Sequence, residues 1–89
     1  VTRDISMVVS KDVLAGQIEA VIAQRGGKIL ESYKLFDIYE GDQIKDGYKS
    51  MAYSISFRAK DRTLEEADVS GAMKKILNGL EQLGAQLRQ

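Results

Sequence analysis

Asp37, Tyr39 and Ser50 are the residues of this 89-residue chain whose types and spacing suit recognition chemistry. Asp37 and Tyr39 sit two apart in a run rich in β-formers, so they share one face of a strand. Ser50 lies near the start of the next such run. A tyrosine ring stacks on a flat base, which is worth about 1–3 kcal/mol. A carboxylate only accepts hydrogen bonds, so it matches an edge with adjacent N–H donors, as on guanine. A serine hydroxyl donates or accepts. The same residues also admit a plainer role, in which Tyr39 fills a β position at an exposed strand end and Asp37 caps a turn.

The basic residues Arg3, Lys49, Arg58, Arg62 and Arg88 fall at strand ends or in connectors. There they can gather on one rim of a sheet and touch phosphates. Arg58 is foremost, because it continues the outward series of its strand; Arg3 and Arg88 come next. Ordinary solvated charge is the competing role. Thirteen basic and thirteen acidic side chains cancel, so net charge supplies no general grip on nucleic acid or on an anionic membrane. The chain has neither cysteine nor histidine. That removes disulfides, a thiolate nucleophile, Cys-type metal sites and the commonest general base. A small domain without disulfides fits the cytosol. No apolar run approaches the ~20 residues of a membrane span. Residue 1 is Val rather than Met, which suits either a removed initiator or a domain cut from a longer chain.

The elements that must position these residues follow from periodicity. Ile5, Met7 and Val9 alternate with Asp4, Ser6 and Ser10, as in a half-buried strand. Leu14, Ile18, Val21 and Ile22 recur at helical spacing, and Gly26-Gly27 ends that helix. A second strand spans roughly residues 29–39, with Phe36 and Ile38 expected against the helices. Tyr33 and Leu35 then share the parity of Asp37, a conflict that either a bulge near Lys34 or cover by another domain would resolve. The loop 41–47 is polar and bounded by glycines. In the third strand, 48–59, Met51, Tyr53, Ile55 and Phe57 lie on one face, while Ser50, Ala52, Ser54, Ser56 and Arg58 lie on the other. Thr63 and Glu66 match a capping box. Val69, Ala72, Met73, Ile76, Leu77, Leu80 and Leu83 form a helical stripe that Gly84 ends, and residues 85–88 suit a last short strand. Met7, Met51 and Met73 read as packing residues. The order β-α-β-β-α-β predicts an α+β, ferredoxin-like fold: a four-stranded antiparallel sheet with both helices on one face.

Catalysis within this chain is not expected. Small phosphatases of that fold carry glycine and arginine after the first strand; here the stretch is Ser10-Lys11-Asp12-Val13. No phosphate-cradling loop occurs, since Gly26-Gly27 follows a helix instead of opening one. Glu65 and Glu66 stand where acidic residues favour a helix start.

The stretch LFDIYEGDQIKDGYKSMAYSISFRAKDRTL, from Leu35 to Leu64, closely resembles the signature of the ferredoxin-fold anticodon-binding domain. That domain ends the beta subunit of bacterial phenylalanine–tRNA ligases. Arg3-Asp4 before an alternating strand and Gly84-Ala85-Gln86-Leu87-Arg88 resemble its two ends, so the likeness covers essentially the whole chain, 1–89. It implies a domain of a longer chain that binds the anticodon stem-loop of tRNA. The positions matching Asp37, Tyr39 and Ser50 contact the first anticodon base, a guanine. The tyrosine stacks, while the aspartate and serine hydrogen-bond. The likeness further implies a cytoplasmic alpha2-beta2 heterotetramer that joins phenylalanine to its tRNA using ATP and Mg2+, with the synthetic site in the alpha subunit. Glu65-Glu66-Ala67-Asp68 departs from the family's usual Thr-Asp-Glu-Glu, which predicts a helix cap lost or moved to Thr63. Two other classes fit the same architecture. One is a regulatory domain that pairs edge to edge and binds an amino acid between subunits; the other is a structural module that docks on neighbouring domains.

Overall fold

The computed structural model describes residues 1–88. Strand β1 spans Thr2–Ser10, helix α1 Ala15–Gly26, strand β2 Leu30–Tyr39, strand β3 Tyr48–Phe57, helix α2 Glu66–Gln82 and strand β4 Gln86–Arg88; a single 3-10 turn, Gly27–Ile29, joins α1 to β2. The sheet order is β2-β3-β1-β4, with every neighbouring pair antiparallel. This is the expected ferredoxin-like α+β fold.

Alternation in β1 and β3 determines which face is buried. Ile5, Met7 and Val9 lie beside Met51, Tyr53, Ile55 and Phe57, and all seven are buried. Ile18 and Ile22 of α1 and Val69, Ala72, Ile76 and Leu80 of α2 close over them as one cluster. Each such aliphatic or aromatic side chain contributes about 1.5–3 kcal/mol by leaving water. Tyr53 is fully buried yet satisfied, because its hydroxyl donates to Glu19 Oε2 at 3.1 Å. Burial first, and then the Glu19 carboxylate, push the Tyr53 phenol far above its ordinary pKa. The helices approach closely at Gly79, where an added Cβ would stand 2.6 Å from Val21 Cγ1.

Four expectations need correction. Helix α2 begins later than Thr63: Glu65 is its cap, and Asp68 Oδ2 accepts from the Glu65 N–H at 3.0 Å. Asp68 also receives Arg62 Nη1 at 2.6 Å, and these bonds hold its carboxyl below the usual range. Leu14 caps α1 with its side chain in solvent, while Gln17 Oε1 accepts from its N–H. The bulge near Lys34 falls elsewhere, since β2 shifts register at Glu31 and again at Phe36. Phe36 and Ile38 are not covered by the helices; both are about half exposed (52% and 53%). The helices lie over the central strands, and β2 is at the sheet edge.

Candidate nucleic-acid interface

The second bulge is what turns the candidate residues to one face. Leu35 pairs with Tyr53 on the helix side, Phe36 is the extra residue, and Asp37 then pairs with Ala52 on the open side. Tyr33, Leu35 and Ile38 thereby keep the helix-side register, while Asp37 and Tyr39 take the outer one. Tyr39 is directly opposite Ser50, and Asp37 lies diagonally from Ser50, about 7–8 Å away across the strands. The structure therefore brings Asp37, Tyr39 and Ser50 together on one uncovered face.

Cross-strand rows define the rest of that face. Tyr39 and Ser50 continue through Val8 to Gln86; Asp37 and Ala52 continue through Ser6 to Arg88. Farther along stand Lys34, Ser54 and Asp4, then Ser32, Ser56 and Thr2. The surface carries six small hydroxyls around one aromatic, Tyr39, and two carboxylates, Asp37 and Asp4. Asp37 is exposed, and among the described residues its carboxylate has no hydrogen-bond or ion-pair partner. Tyr39 is 45% exposed, enough ring to receive a stacked base.

The loop 41–47 borders this site and is ordered by its own contacts. Ile44, its one aliphatic residue, is buried outside the main core and shares a hollow of about 290 Å³ with Val8 and Gln86. The Ile44 N–H donates to the Gly41 carbonyl at 2.9 Å, Tyr48 N–H to Lys45 at 3.0 Å, and Lys11 N–H to Gly47 at 2.9 Å. Lys11 pairs with Glu40 at 3.1 Å. Lys45 Nζ stands 5.7 Å from the Tyr48 ring centre.

The candidate phosphate contacts are scattered. Arg58 directly follows the end of β3 and is eight residues from Ser50, about 26 Å by strand rise. Its guanidinium is 3.6 Å from Glu31, with both groups well exposed. Arg3 has the helix-side register and binds Glu66 at 2.8 Å, so it does not join the open-face group. The Arg88 backbone pairs with Ser6 in the outer register; its side chain lies outside the described set. Lys49 reaches the Lys11 carbonyl at 3.5 Å and Arg62 is held by Asp68. A groove of about 550 Å³ is at the far end, between Lys28–Glu31 and Arg58–Arg62, away from the triplet.

Sequence reasoning missed Gly41 and Ile44. The available signals were a glycine two residues after the tyrosine and a lone aliphatic residue in a polar loop. Among the described residues no group of three Asp, Glu, His or Cys side chains could hold a metal ion. No described helix is long and apolar enough to cross a membrane.

A family model, the ferredoxin-fold anticodon binding domain, matches residues 1–88. Phenylalanine–tRNA ligase beta subunits are among the similar proteins. The one from Clostridium tetani is 51% identical over 89 residues, and that from Clostridium acetobutylicum 47%; each alignment covers 99% of this chain and 11% of the relative. The Bacillus subtilis beta subunit is 44% identical over 81 residues, 91% of this chain and 10% of its own length. The chain thus spans about a tenth of the curated relatives it matches.

Proposed function

Because the chain belongs to the ferredoxin-fold anticodon-binding domain family, we propose that it binds the anticodon stem-loop of phenylalanine tRNA and reads its first anticodon base. The observation that carries this reading is the placement of Tyr39 opposite Ser50, with Asp37 diagonal and free of partners among the described residues, on the sheet face the helices leave open. Tyr39 supplies a stacking plane. The Asp37 carboxylate accepts from the adjacent N1–H and N2–H of a guanine, and the Ser50 hydroxyl completes the edge. Arg58 and Arg88 position the backbone without reading sequence. Arg3 would have to leave Glu66 to take part.

On the same reading, residues 1–89 are one domain of a longer beta subunit, which accords with the small share of its relatives that the chain spans. That subunit partners an alpha subunit in a cytoplasmic alpha2-beta2 phenylalanine–tRNA ligase. ATP and Mg2+ serve the synthetic site there; the described residues of this chain offer no ligand cluster for the metal. This domain's part is selection of tRNA.

Amide NMR spectra recorded while a phenylalanine-specific anticodon stem-loop is added test the proposal. Shifts centred on Asp37, Tyr39 and Ser50, weaker when the first anticodon base is changed from guanine, are expected. Equal shifts with both loops, or shifts confined to the helix face, would refute base reading by this surface.

A further inference from the structure

The phenol end of Tyr39 occupies the space where a side chain at position 41 would begin. A Cβ built on Gly41 would be 2.5 Å from the Tyr39 hydroxyl oxygen and 2.8 Å from Cζ. Real Cβ atoms do not approach so closely, so any larger residue there must displace the ring. The backbone of Gly41 makes no other demand for glycine. The glycines with positive φ among the described residues are Gly27, Gly47 and Gly84, and Gly41 is not one of them. Gly41 is exposed, and nothing but the Tyr39 ring lies among the nearest atoms its Cβ would meet.

The floor beneath the ring is held by the loop: the Gly41 carbonyl accepts from Ile44, whose side chain is buried beside Val8 and Gln86. The neighbouring Lys11–Glu40 pair is solvent-exposed and adds little. When a methyl group is added, it is therefore the exposed, hinged ring that moves, and the anchored backbone stays.

We propose that Gly41 is a positioning residue for RNA recognition: its bare α-carbon seats the Tyr39 ring in the orientation that receives the base. This rests on the reading that Tyr39 stacks a base. The device works before RNA arrives. A ring already held on its seat loses less freedom on binding than one sampling several rotamers. Glycine is thus demanded by a neighbouring side chain rather than by its own backbone.

The test combines one measurement on the free protein with one on its complex. In the unbound wild type, nuclear Overhauser contacts between the Tyr39 ring and the Gly41 α-protons are expected; their absence overturns the proposal whatever the RNA does. Stem-loop affinity is then measured for wild type, Gly41→Ala, Tyr39→Ala and the double variant. Gly41→Ala is expected to keep the wild-type melting temperature within a few degrees and to weaken binding about tenfold, within the range for losing one stacked base. In the Tyr39→Ala background the same substitution should change affinity by less than about twofold, because the group it displaces is gone. Wild-type affinity in Gly41→Ala, where Tyr39→Ala binds poorly, refutes the positioning role alone. An undiminished loss in the double variant refutes it as well. Wild-type affinity in Tyr39→Ala instead refutes the stacking reading. Should Gly41→Ala fold poorly, adding Tyr39→Ala, which removes the whole ring the new Cβ would meet, is expected to bring stability back to that of Tyr39→Ala alone; failure to do so counts against the proposal.

Discussion

Replacing Asp37 with asparagine separates base reading from simple adhesion. The two side chains have nearly the same shape. Asp37 is exposed and has no partner among the described residues, so the change should leave stability within about 0.5 kcal/mol. Its consequence lies at the base edge. A carboxylate presents two acceptors to the paired donors of guanine, whereas an amide presents one acceptor and one donor group. The amide would keep one bond and set N–H against N–H at the other. A hydrogen bond to a charged group is worth about 1.5–3 kcal/mol, so affinity for a loop with guanine at the stacked position should fall about 10- to 150-fold. At the same positions adenine presents the N1 acceptor and a C2–H, which give a carboxylate no N–H to accept from, whereas an amide can donate to N1. Affinity for an adenine loop should therefore hold or rise, and the preference for guanine should collapse. Fluorescence anisotropy with two labelled stem-loops that differ only at that base measures both affinities. If Asp37→Asn keeps the guanine-to-adenine ratio within twofold of wild type, Asp37 does not read the base. A parallel loss for both loops would show that its charge acts only through the general field.

Three further outcomes are expected. Tyr39→Ala should weaken stem-loop binding by about 1–3 kcal/mol and cost about 1 kcal/mol of folding stability, since roughly half the ring is already in solvent; titration calorimetry and urea melts report the two separately. Gly79→Ala should destabilise the domain by about 1–3 kcal/mol through overpacking against Val21, read from the urea midpoint, and a wild-type midpoint would mean that the helices separate freely. Asp68 has a lowered carboxyl pKa, held first by the hydrogen bond from Arg62 and then by that from the Glu65 N–H. Its contribution is full above the unfolded pKa of about 3.9 and fades as pH falls through the lower folded value. The melting-temperature gap between wild type and Asp68→Asn should accordingly narrow as pH is taken from about 6 towards about 2, and a gap independent of pH would exclude this ionic cap.

The strands of the core were legible because each obeys a single alternation. From Ile5 to Val9 and from Met51 to Phe57 every second residue is apolar, and the structure buries those and turns the serines between them to the other face. The stripe of α2 was legible for the same reason. Strand β2 was harder, because its two halves obey different alternations joined at Phe36. Parity counted from either end assigns the other half to the wrong face, so the need for a bulge was readable but its place was not. The start of α2 was misread because Thr63-x-x-Glu66 and Glu65-x-x-Asp68 both satisfy the spacing; Arg62 and the Glu65 N–H both converge on Asp68, and that decides between them. Leu14 fits a helical stripe but falls at the cap, where the chain has not yet turned inward. At the candidate surface, the grouping of Asp37, Tyr39 and Ser50 could be anticipated from strand pairing. The remoteness of Arg58 and the engagement of Arg3 by Glu66 depend on tertiary arrangement, which charge and spacing do not report.

The extra residue at Phe36 also bears on how such a domain can vary. Without it, Tyr33, Lys34, Leu35, Asp37, Ile38 and Tyr39 would run in an unbroken in-and-out sequence. A regular strand that loses one residue exchanges its two faces from that point onward. This strand would not, because the residue lost could be the one that pairs with nothing. Phe36 therefore works as slack. It separates a half-strand whose alternation faces the core from a half-strand that turns Asp37 and Tyr39 to the open face, so that one residue could be lost between them while the inside stays inside and the outside stays out.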